Sequence, residues 1–266
     1  MGDTYTHGHH ESVLRSHRWR TAENSAGYLL RRLRPGLDLL DVGCGPGTIT
    51  LDLAARVAPG RVVGIDAVAD VVAGAEAERI RAGAGNARFE VGDVYALAAE
   101  DRCFDVAHAH QLLQHLTDPV AALREMRRVL RDGGVLAVRD SDYASFVWAP
   151  RDPLLDRWME LYHAVTARNG AEADAGRLLP GWARAAGFTE IEVSASTWTF
   201  ADPPSRAWWG SLWADRVRLS AFAEQAVAYG FASPAELEAI AAAWRRWSER
   251  DDAVFVTTHV EVLARR

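Results

Sequence analysis

The sequence contains no lysine, and all 30 of its basic residues are arginine. A lysine amine forms the Schiff bases of pyridoxal phosphate enzymes and holds phosphate in P-loops and kinases. Short-chain dehydrogenases likewise need the lysine of their Tyr-x-x-x-Lys pair. All of these enzyme classes are therefore excluded.

Cysteine is also scarce: Cys44 and Cys103 are the only two, too few for a disulfide framework or a paired metal site. No apolar run reaches the length of a membrane span. The first residues show neither a signal-type apolar region nor a basic leader. We therefore expect a cytoplasmic protein that does not act at a membrane.

The chain also has no excess of positive charge: its formal net charge is -6. Nonspecific binding to nucleic acid needs a basic surface that neutralises phosphates, so no nucleic-acid partner is expected. The 266 residues, 49% of them hydrophobic, suit one large domain or a domain with a sizeable insertion. A small-molecule substrate is expected, and a homodimer is left open.

A glycine-rich turn is the most informative feature that is present. Residues 39–42 are apolar except for Asp41, the next five residues read Gly-Cys-Gly-Pro-Gly, and Thr48 begins a helix. Glycines let a backbone turn sharply and approach a ligand closely, and a helix N-terminus presents free N–H groups. The pattern predicts a nucleotide-type cofactor site at the carboxyl end of the first parallel strand.

Acidic residues follow the next two predicted strands. Residues 61–66 form a buried strand that ends in Asp66, about 20 residues beyond the glycines, where an acid can hold both ribose hydroxyls. Residues 87–91 alternate as a third strand, and Asp93 after it can accept a hydrogen bond from an adenine amino group. A fourth strand, a helix capped by Asp118-Pro119 and a fifth strand are predicted at 104–109, from 118 onward and at 135–138.

The spacing Asp41-x-Gly43-x-Gly45-x-Gly47 resembles the first motif of class I S-adenosylmethionine-dependent methyltransferases. The order of acids, glycines and strands matches that family over residues 38–140. The stretch from His110 to Pro119 resembles the ubiquinone/menaquinone-biosynthesis type in particular. A dinucleotide fingerprint would need glycine in place of Thr48, which makes a nicotinamide-dependent oxidoreductase the less favoured alternative.

The resemblance implies S-adenosyl-L-methionine as the cofactor and assigns roles to individual residues. Asp41 and the glycine turn would shape the methionine end. Asp66 would hold the ribose, Asp93 the adenine amine, and Arg20 the cofactor carboxylate. The complete set of implied contacts is Arg20, Asp41, Gly43, Gly45, Gly47, Asp66, Ala67, Asp93, Val94 and the backbone of His110.

Methyl transfer is an in-line displacement at a sulfonium methyl, so the protein supplies alignment and a dry enclosure. A phenol, enol or thiol acceptor can use a base, and the candidates are His110, His115, Asp140 and Tyr143. We expect Asp140 and Tyr143 to face the acceptor. The alternative is that Asp140 pairs with a nearby arginine and Tyr143 packs under a cap.

The expected fold class is α/β: a Rossmann-like sheet of seven strands, the last one antiparallel, with helical cap insertions. Residues 1–36 form an N-terminal helical segment that covers the cofactor site, and residues 37–145 form the cofactor-binding core. Residues 146–266, which hold nine of the ten tryptophans, add the remaining strands and an inserted helical substrate cap. Helices are expected at 25–33, 153–168, 173–186, 205–228 and 234–250, and strands at 189–193 and 254–262.

Two further groups invite a functional interpretation. His7, His9 and His10 suggest a metal, but no carboxylate or cysteine with metal spacing accompanies them, so no metal is expected. Trp208, Trp209 and Trp213 favour cap core over an aromatic cage. A protein that binds S-adenosylmethionine as a scaffold, or for a reaction other than methyl transfer, remains an alternative to the methyltransferase.

Overall fold

The computed structural model describes residues 3–8 and 11–266. Helices α1 (Glu11–Arg18), α2 (Ala22–Ser25) and α3 (Gly27–Leu30) precede the first strand. The single helix expected at 25–33 is therefore wrong. A capping box of Thr21 and Asn24 starts α2 early, and the carbonyl of Asn24, which a longer helix would use, accepts the indole N–H of Trp198 at 2.7 Å.

Five parallel strands form the first part of the sheet, in the order β3-β2-β1-β4-β5. They are β1 (Leu39–Val42), β2 (Val62–Asp66), β3 (Ala87–Val91), β4 (Phe104–His110) and β5 (Leu130–Ser141), connected by α4 (Thr48–Val57), α5 (Ala69–Ala82) and α6 (Pro119–Val129). The predicted cap of α6 is confirmed, because the Asp118 carboxylate accepts the Ala121 N–H and Pro119 occupies the first turn. These connections bring the carboxyl ends of β1, β2 and β4 to one edge.

The remaining strands meet at the last one. They are β6 (Val147–Ala149), β7 (Thr189–Phe200) and β8 (Val254–Arg265), and β8 is antiparallel to β5, as expected. β7 pairs with one edge of β8 along its whole length, so β5 and then β6 share the other edge. The sheet of the described residues thus has eight strands instead of seven. The sheet contains strands from both predicted ranges, 37–145 and 146–266. The domain boundary between these two ranges stays a prediction.

The helices beyond the parallel strands are α7 (Pro153–Arg168), α8 (Ala175–Ala185), α9 (Pro203–Leu219), α10 (Ala221–Ala228) and α11 (Pro234–Glu249). The expected single helix at 205–228 divides at Ser220, whose backbone is extended and whose hydroxyl donates to the carbonyl of Arg216. Helices α7, α9, α10 and α11 enclose an aromatic core that contains Trp158, Trp213 and Trp244. Within the described residues, no helix combines the length and apolarity that crossing a membrane requires.

Candidate active site

A cavity of about 880 Å³ opens at the carboxyl ends of β1, β2 and β4. We call it the outer cavity. Of the ten residues predicted to contact a cofactor, nine line it: Arg20, Asp41, Gly43, Gly45, Asp66, Ala67, Asp93, Val94 and His110. Gly47 is the exception, because it caps α4 with a φ of 82° and lies against the ring of Phe89. The structure thus brings nine of the ten predicted residues together around the outer cavity, and Gly47 packs against Phe89 instead.

Each glycine of the turn has a left-handed backbone: φ is 71° at Gly43, 54° at Gly45 and 82° at Gly47. A Cβ at Gly43 would lie 2.9 Å from the side chain of Leu112, and one at Gly47 would lie 2.6 Å from Phe89. A Cβ at Gly45 would meet only His17, at 3.8 Å. Gly45 therefore keeps the lining of the outer cavity open, whereas a side chain at Gly47 would collide with the Phe89 ring and one at Gly43 would displace the Leu112 side chain.

The three predicted acids have different environments. Asp41 is buried and already paired, since its Oδ1 lies 2.7 Å from Nδ1 of His108 and its Oδ2 accepts the Thr50 hydroxyl. It therefore acts on the cavity mainly by holding β1 and β4 in place. Asp66 accepts the backbone N–H groups of Gly45 and Val68, each at 3.1 Å.

Asp93 is the exposed member of the three. Its Oδ1 accepts the N–H of Tyr95 at 2.9 Å, and the residue lines the outer cavity. The carboxylates of Asp66 and Asp93 follow neighbouring strands, as the sequence predicts. Each carboxylate oxygen can accept more than one hydrogen bond, so both acids retain capacity for a ligand.

Gln111 connects the sheet edge to the N-terminal segment, a role that the sequence did not indicate. Its backbone is left-handed, with φ at 51°. Its side-chain oxygen accepts an N–H of Arg20 at 2.5 Å, and its amide nitrogen donates to Ser141 at 3.0 Å and to Nε2 of His259 at 2.8 Å. A non-glycine residue in this conformation costs about 1–2 kcal/mol. The hydrogen bonds offset that strain and fix Arg20 at the cavity wall.

Three histidines of the site, His110, His115 and His259, are buried and neutral at pH 7. Burial lowers the pKa of His110 and His259 well below 6.5 and the pKa of His115 to about 3, and neighbouring arginines add to each shift. Neither ring nitrogen of His110 has a hydrogen-bond partner in the part of the chain that the structure describes. This imidazole can accept a hydrogen bond from a ligand but is a weak proton acceptor.

A second, inner cavity of about 30 Å³ adjoins the outer one. Five residues line both: Tyr5, His17, Arg20, Gln111 and His115. The inner cavity has mostly aromatic walls, formed by Tyr143, Phe146, Trp198, Trp208, Trp209 and Trp213. Trp209 and Trp213 are therefore both cap core, as expected, and cavity lining.

The two residues predicted to face the acceptor differ in position. Tyr143 lines the inner cavity, and its ring stacks on Tyr162 with centroids 3.9 Å apart. Asp140 lines neither cavity, which contradicts its expected contact with the acceptor. Asp140 lies on β5 with no exposed surface, and its carboxylate accepts the N–H of Gln114 at 3.1 Å. Burial raises its pKa to about 7.

Residues 3–8 and α1 contribute side chains to both cavities, among them Tyr5 and His17. The carboxylate of Asp3, which lines the outer cavity, accepts the N–H and the hydroxyl of Thr117 at 2.8 and 2.7 Å. His7 is buried and hydrogen-bonds to Tyr162 at 3.1 Å. The other two histidines of the suggested metal group, His9 and His10, lie outside the described residues.

No group of three potential metal ligands occurs among residues 3–8 and 11–266. The residues that sequence reasoning missed are Gln111, His259 and Arg216. They come from a strand end, the last strand and the last turn of α9. No local pattern marks them, because they meet only when distant segments pack.

Comparison with known proteins agrees with this geometry. A family model described as a methyltransferase domain matches residues 33–187. An uncharacterized methyltransferase of Schizosaccharomyces pombe is 33% identical over 272 residues, covering 98% of this chain and 96% of that protein. A demethylmenaquinone methyltransferase of Roseiflexus castenholzii is 35% identical over 150 residues, 54% of this chain and 59% of that protein.

The crystal structure of the YcgJ protein of Bacillus subtilis has the same fold. It superposes with a TM-score of 0.59 at 20% sequence identity, over 97% of this chain and 99% of that one. Sheet order, glycine turn and strand-end acids together define an α/β enzyme with a nucleoside-type cofactor site. The chain belongs to the methyltransferase domain family and is a class I S-adenosylmethionine-dependent methyltransferase.

Proposed function

We propose that the outer cavity holds S-adenosylmethionine and that a small-molecule acceptor reaches the transferred methyl group from the side of the inner cavity. The observation that carries this proposal is the junction of the two cavities, where five residues contribute to both walls. In-line displacement needs donor and acceptor on opposite sides of one transferred methyl group. The inner cavity, at about 30 Å³, has room for little more than a water molecule, so the acceptor must also occupy part of the outer cavity or displace side chains at the junction.

The residues of the outer cavity fit the cofactor. The open wall at Gly45 accommodates a close backbone approach, and Asp66 and Asp93 are at the ends of neighbouring strands. We assign the ribose hydroxyls to Asp66, the adenine amine to Asp93 and the ring faces to Ala67 and Val94. Arg20 and the backbone of His110 take the carboxylate and amino group of the methionine end.

The bound cofactor supplies a sulfonium methyl that is already activated towards a nucleophile. The residues of this chain align the acceptor and keep water out, through the N-terminal segment and the aromatic wall of the inner cavity. Tyr143 keeps its proton at neutral pH, because burial raises its pKa. It can therefore donate a hydrogen bond to an acceptor oxygen. The neutral rings of His110 and His115 can receive one.

We further propose that the cofactor-binding half of the chain is of the ubiquinone/menaquinone-biosynthesis type within this family. The stretch from His110 to Pro119 supports it, and so does the demethylmenaquinone methyltransferase similarity, which covers about half of the chain. We infer that the tryptophan-rich cap, and not the cofactor-binding half, determines which acceptor binds. We also propose a cytoplasmic location, supported by free Cys44 and Cys103.

Calorimetry with S-adenosylhomocysteine and with NADH tests the proposal. We expect S-adenosylhomocysteine to bind and NADH to give no heat. Radiolabelled methyl transfer to pooled metabolites then tests turnover. Tight NADH binding without S-adenosylhomocysteine binding would overturn the cofactor assignment. Binding of S-adenosylhomocysteine with no transfer to any pool would favour the alternative of a non-methylating S-adenosylmethionine protein.

A further inference from the structure

A tyrosine side chain of the N-terminal segment lies where the two cavities meet. Tyr5 lines both of them, and its ring packs edge-on against His115 with the ring centroids 4.7 Å apart. Its hydroxyl lies 3.4 Å from Nε2 of His17. A Cβ at Gly45 would in turn lie 3.8 Å from Nδ1 of His17. The rings of His17, Tyr5 and His115 therefore form a continuous row from the glycine turn to the residues that follow β4.

Of the five residues that line both cavities, Tyr5 can move with the least disruption of the fold. Residues 3–8 belong to no helix or strand. Of the other four, two lie on helical turns, and the remaining two, Arg20 and Gln111, are hydrogen-bonded to each other at 2.5 Å. The ring of Tyr5 can therefore leave the junction without breaking regular secondary structure.

The sizes of the two cavities require such a movement. The inner cavity of about 30 Å³ holds little more than a water molecule, and the outer cavity is assigned to the cofactor. An acceptor beside the transferred methyl group therefore needs room at the junction, and the ring of Tyr5 occupies that room. The space that this ring vacates has the size and shape of a phenol.

The surroundings of the Tyr5 ring suit an aromatic hydroxyl. The ring meets His115 at 84°, in the edge-to-face arrangement that aromatic pairs prefer. Burial raises the pKa of Tyr5 to about 12, so its hydroxyl stays protonated at neutral pH. Nε2 of His17, at 3.4 Å, is the nitrogen to which this proton can pass. A phenol in the same place would thus have both an aromatic neighbour and a nearby proton acceptor.

We propose that Tyr5 is a displaceable plug of the acceptor subsite and that the methyl acceptor is a phenol, whose ring takes the place of the Tyr5 ring. The phenolic oxygen forms a bond to the methyl group as the sulfur–methyl bond breaks, and the electron pair of that bond stays on sulfur. The phenolic proton passes to Nε2 of His17. The inference rests on the proposed function, because it assigns the substrate class of the same site.

Calorimetry on the full chain saturated with S-adenosylhomocysteine tests the inference, with p-cresol and toluene as probes. p-Cresol is the tyrosine side chain without its backbone, and toluene lacks only the hydroxyl. Tyr5→Ala should bind p-cresol roughly tenfold or more tighter than wild type, because a plug in place about 90% of the time reduces the apparent affinity by that factor. The variant should also bind p-cresol about fivefold tighter than toluene, which corresponds to one neutral hydrogen bond.

Three further variants complete the test. Tyr5→Phe keeps the ring and should bind p-cresol more weakly than Tyr5→Ala does. Tyr95→Ala is the matched control, since it removes a tyrosine that lines only the outer cavity, and it should gain no affinity for p-cresol. Tyr5→Leu, which also removes the ring, takes the place of Tyr5→Ala if that variant does not fold.

Equal p-cresol affinity in Tyr5→Ala and wild type would overturn the plug, and equal affinity for p-cresol and toluene would overturn the phenol. Loss of S-adenosylhomocysteine binding in Tyr5→Ala, without a gain for p-cresol, would mean that Tyr5 belongs to the cofactor wall instead. Failure of the wild-type protein to bind S-adenosylhomocysteine would contradict the proposed function. The same p-cresol comparison, made without S-adenosylhomocysteine, would then decide whether Tyr5 is a plug.

Discussion

Asp66 has a structural role in the glycine turn and a proposed role in binding the cofactor ribose. Measuring stability and affinity in the same variants distinguishes the two roles. Its carboxylate holds the glycine turn through the N–H of Gly45 and the start of α5 through the N–H of Val68. The same oxygens face the outer cavity, where we assign them to the ribose. The turn and the cofactor therefore depend on one side chain.

Asp66→Ala should weaken S-adenosylhomocysteine binding by roughly 2–4 kcal/mol, because two hydrogen bonds to a charged acceptor are lost. Asp66→Asn keeps one acceptor oxygen and should lose about half as much. Calorimetry gives the affinity, and urea unfolding gives the stability. Asp70→Ala, at an exposed position in the first turn of α5, is the control for charge and should change neither strongly. Normal affinity in Asp66→Ala would show that Asp66 only supports the fold.

At the scale of elements, the turn after β1 combines a left-handed backbone, which glycine adopts without strain, with an open cavity wall. Gly45→Ala adds a left-handed alanine and places a methyl group at the outer cavity. Gly83→Ala, at the end of α5, adds the same kind of strain, with φ at 65° and nothing within 4 Å of the new Cβ. Comparing the two variants separates backbone strain from steric exclusion of a ligand.

Both alanine variants should lose stability by about 1–2 kcal/mol, the cost of a left-handed non-glycine residue. Only Gly45→Ala should also lose S-adenosylhomocysteine affinity, because only its methyl group occupies the cofactor wall. Thermal or urea unfolding and calorimetry on the same samples measure the two effects. Equal affinity in the two variants would mean that the cofactor does not approach Gly45.

The parallel strands and the helices at their ends were predictable, because each has a local pattern. Strands β1, β3 and β4 match their expected ranges to within a residue, and α7 matches in full. The errors have non-local causes. Trp198, far along the chain, takes the Asn24 carbonyl and ends α2. The strand β5 begins at Leu130 because that residue pairs with Phe104 ahead of a bulge, although Gly133 and Gly134 predict a turn.

The residues of the candidate site also divide into those that a local sequence pattern predicts and those that it does not. Residues at the carboxyl ends of β1 to β4 were predictable, because parallel strands bring their ends to one edge. The network around Gln111 was not predictable, since its bond to His259 joins residues 148 positions apart. Arg216 belongs to a helix whose sequence gives no sign of a cavity. Its environment arises only when α1 packs on α9.

At the scale of the whole molecule, the N-terminal segment contributes side chains to the walls of both cavities. Tyr5, His17 and Arg20 contribute to both walls, and Asp3, which lines the outer cavity, holds the segment to Thr117. A ligand in either cavity would therefore contact side chains of the same segment.

The stability of the whole chain should depend on pH through buried groups with opposite effects. The pKa of Asp140 is raised to about 7 by burial, against about 3.9 in an unfolded chain. The folded chain thus retains a proton that the unfolded chain loses, so this contribution is complete below pH 4 and is lost as pH rises through 7. Buried His110, His115 and His259, with lowered pKa values, favour folding above about pH 6.5 and oppose it in acid.

Asp140→Asn isolates the carboxyl contribution from that of the histidines. Relative to wild type, the variant should gain stability as pH rises from about 4 to 7, by up to about 1.4 kcal/mol per pH unit, because its side chain no longer ionises. Urea midpoints across this range for both proteins give the difference directly. Asp132→Asn, at an exposed carboxyl in the bulged part of β5, is the control and should follow wild type at every pH. Parallel curves for Asp140→Asn and wild type would mean that Asp140 ionises in the folded chain as it does in the unfolded one.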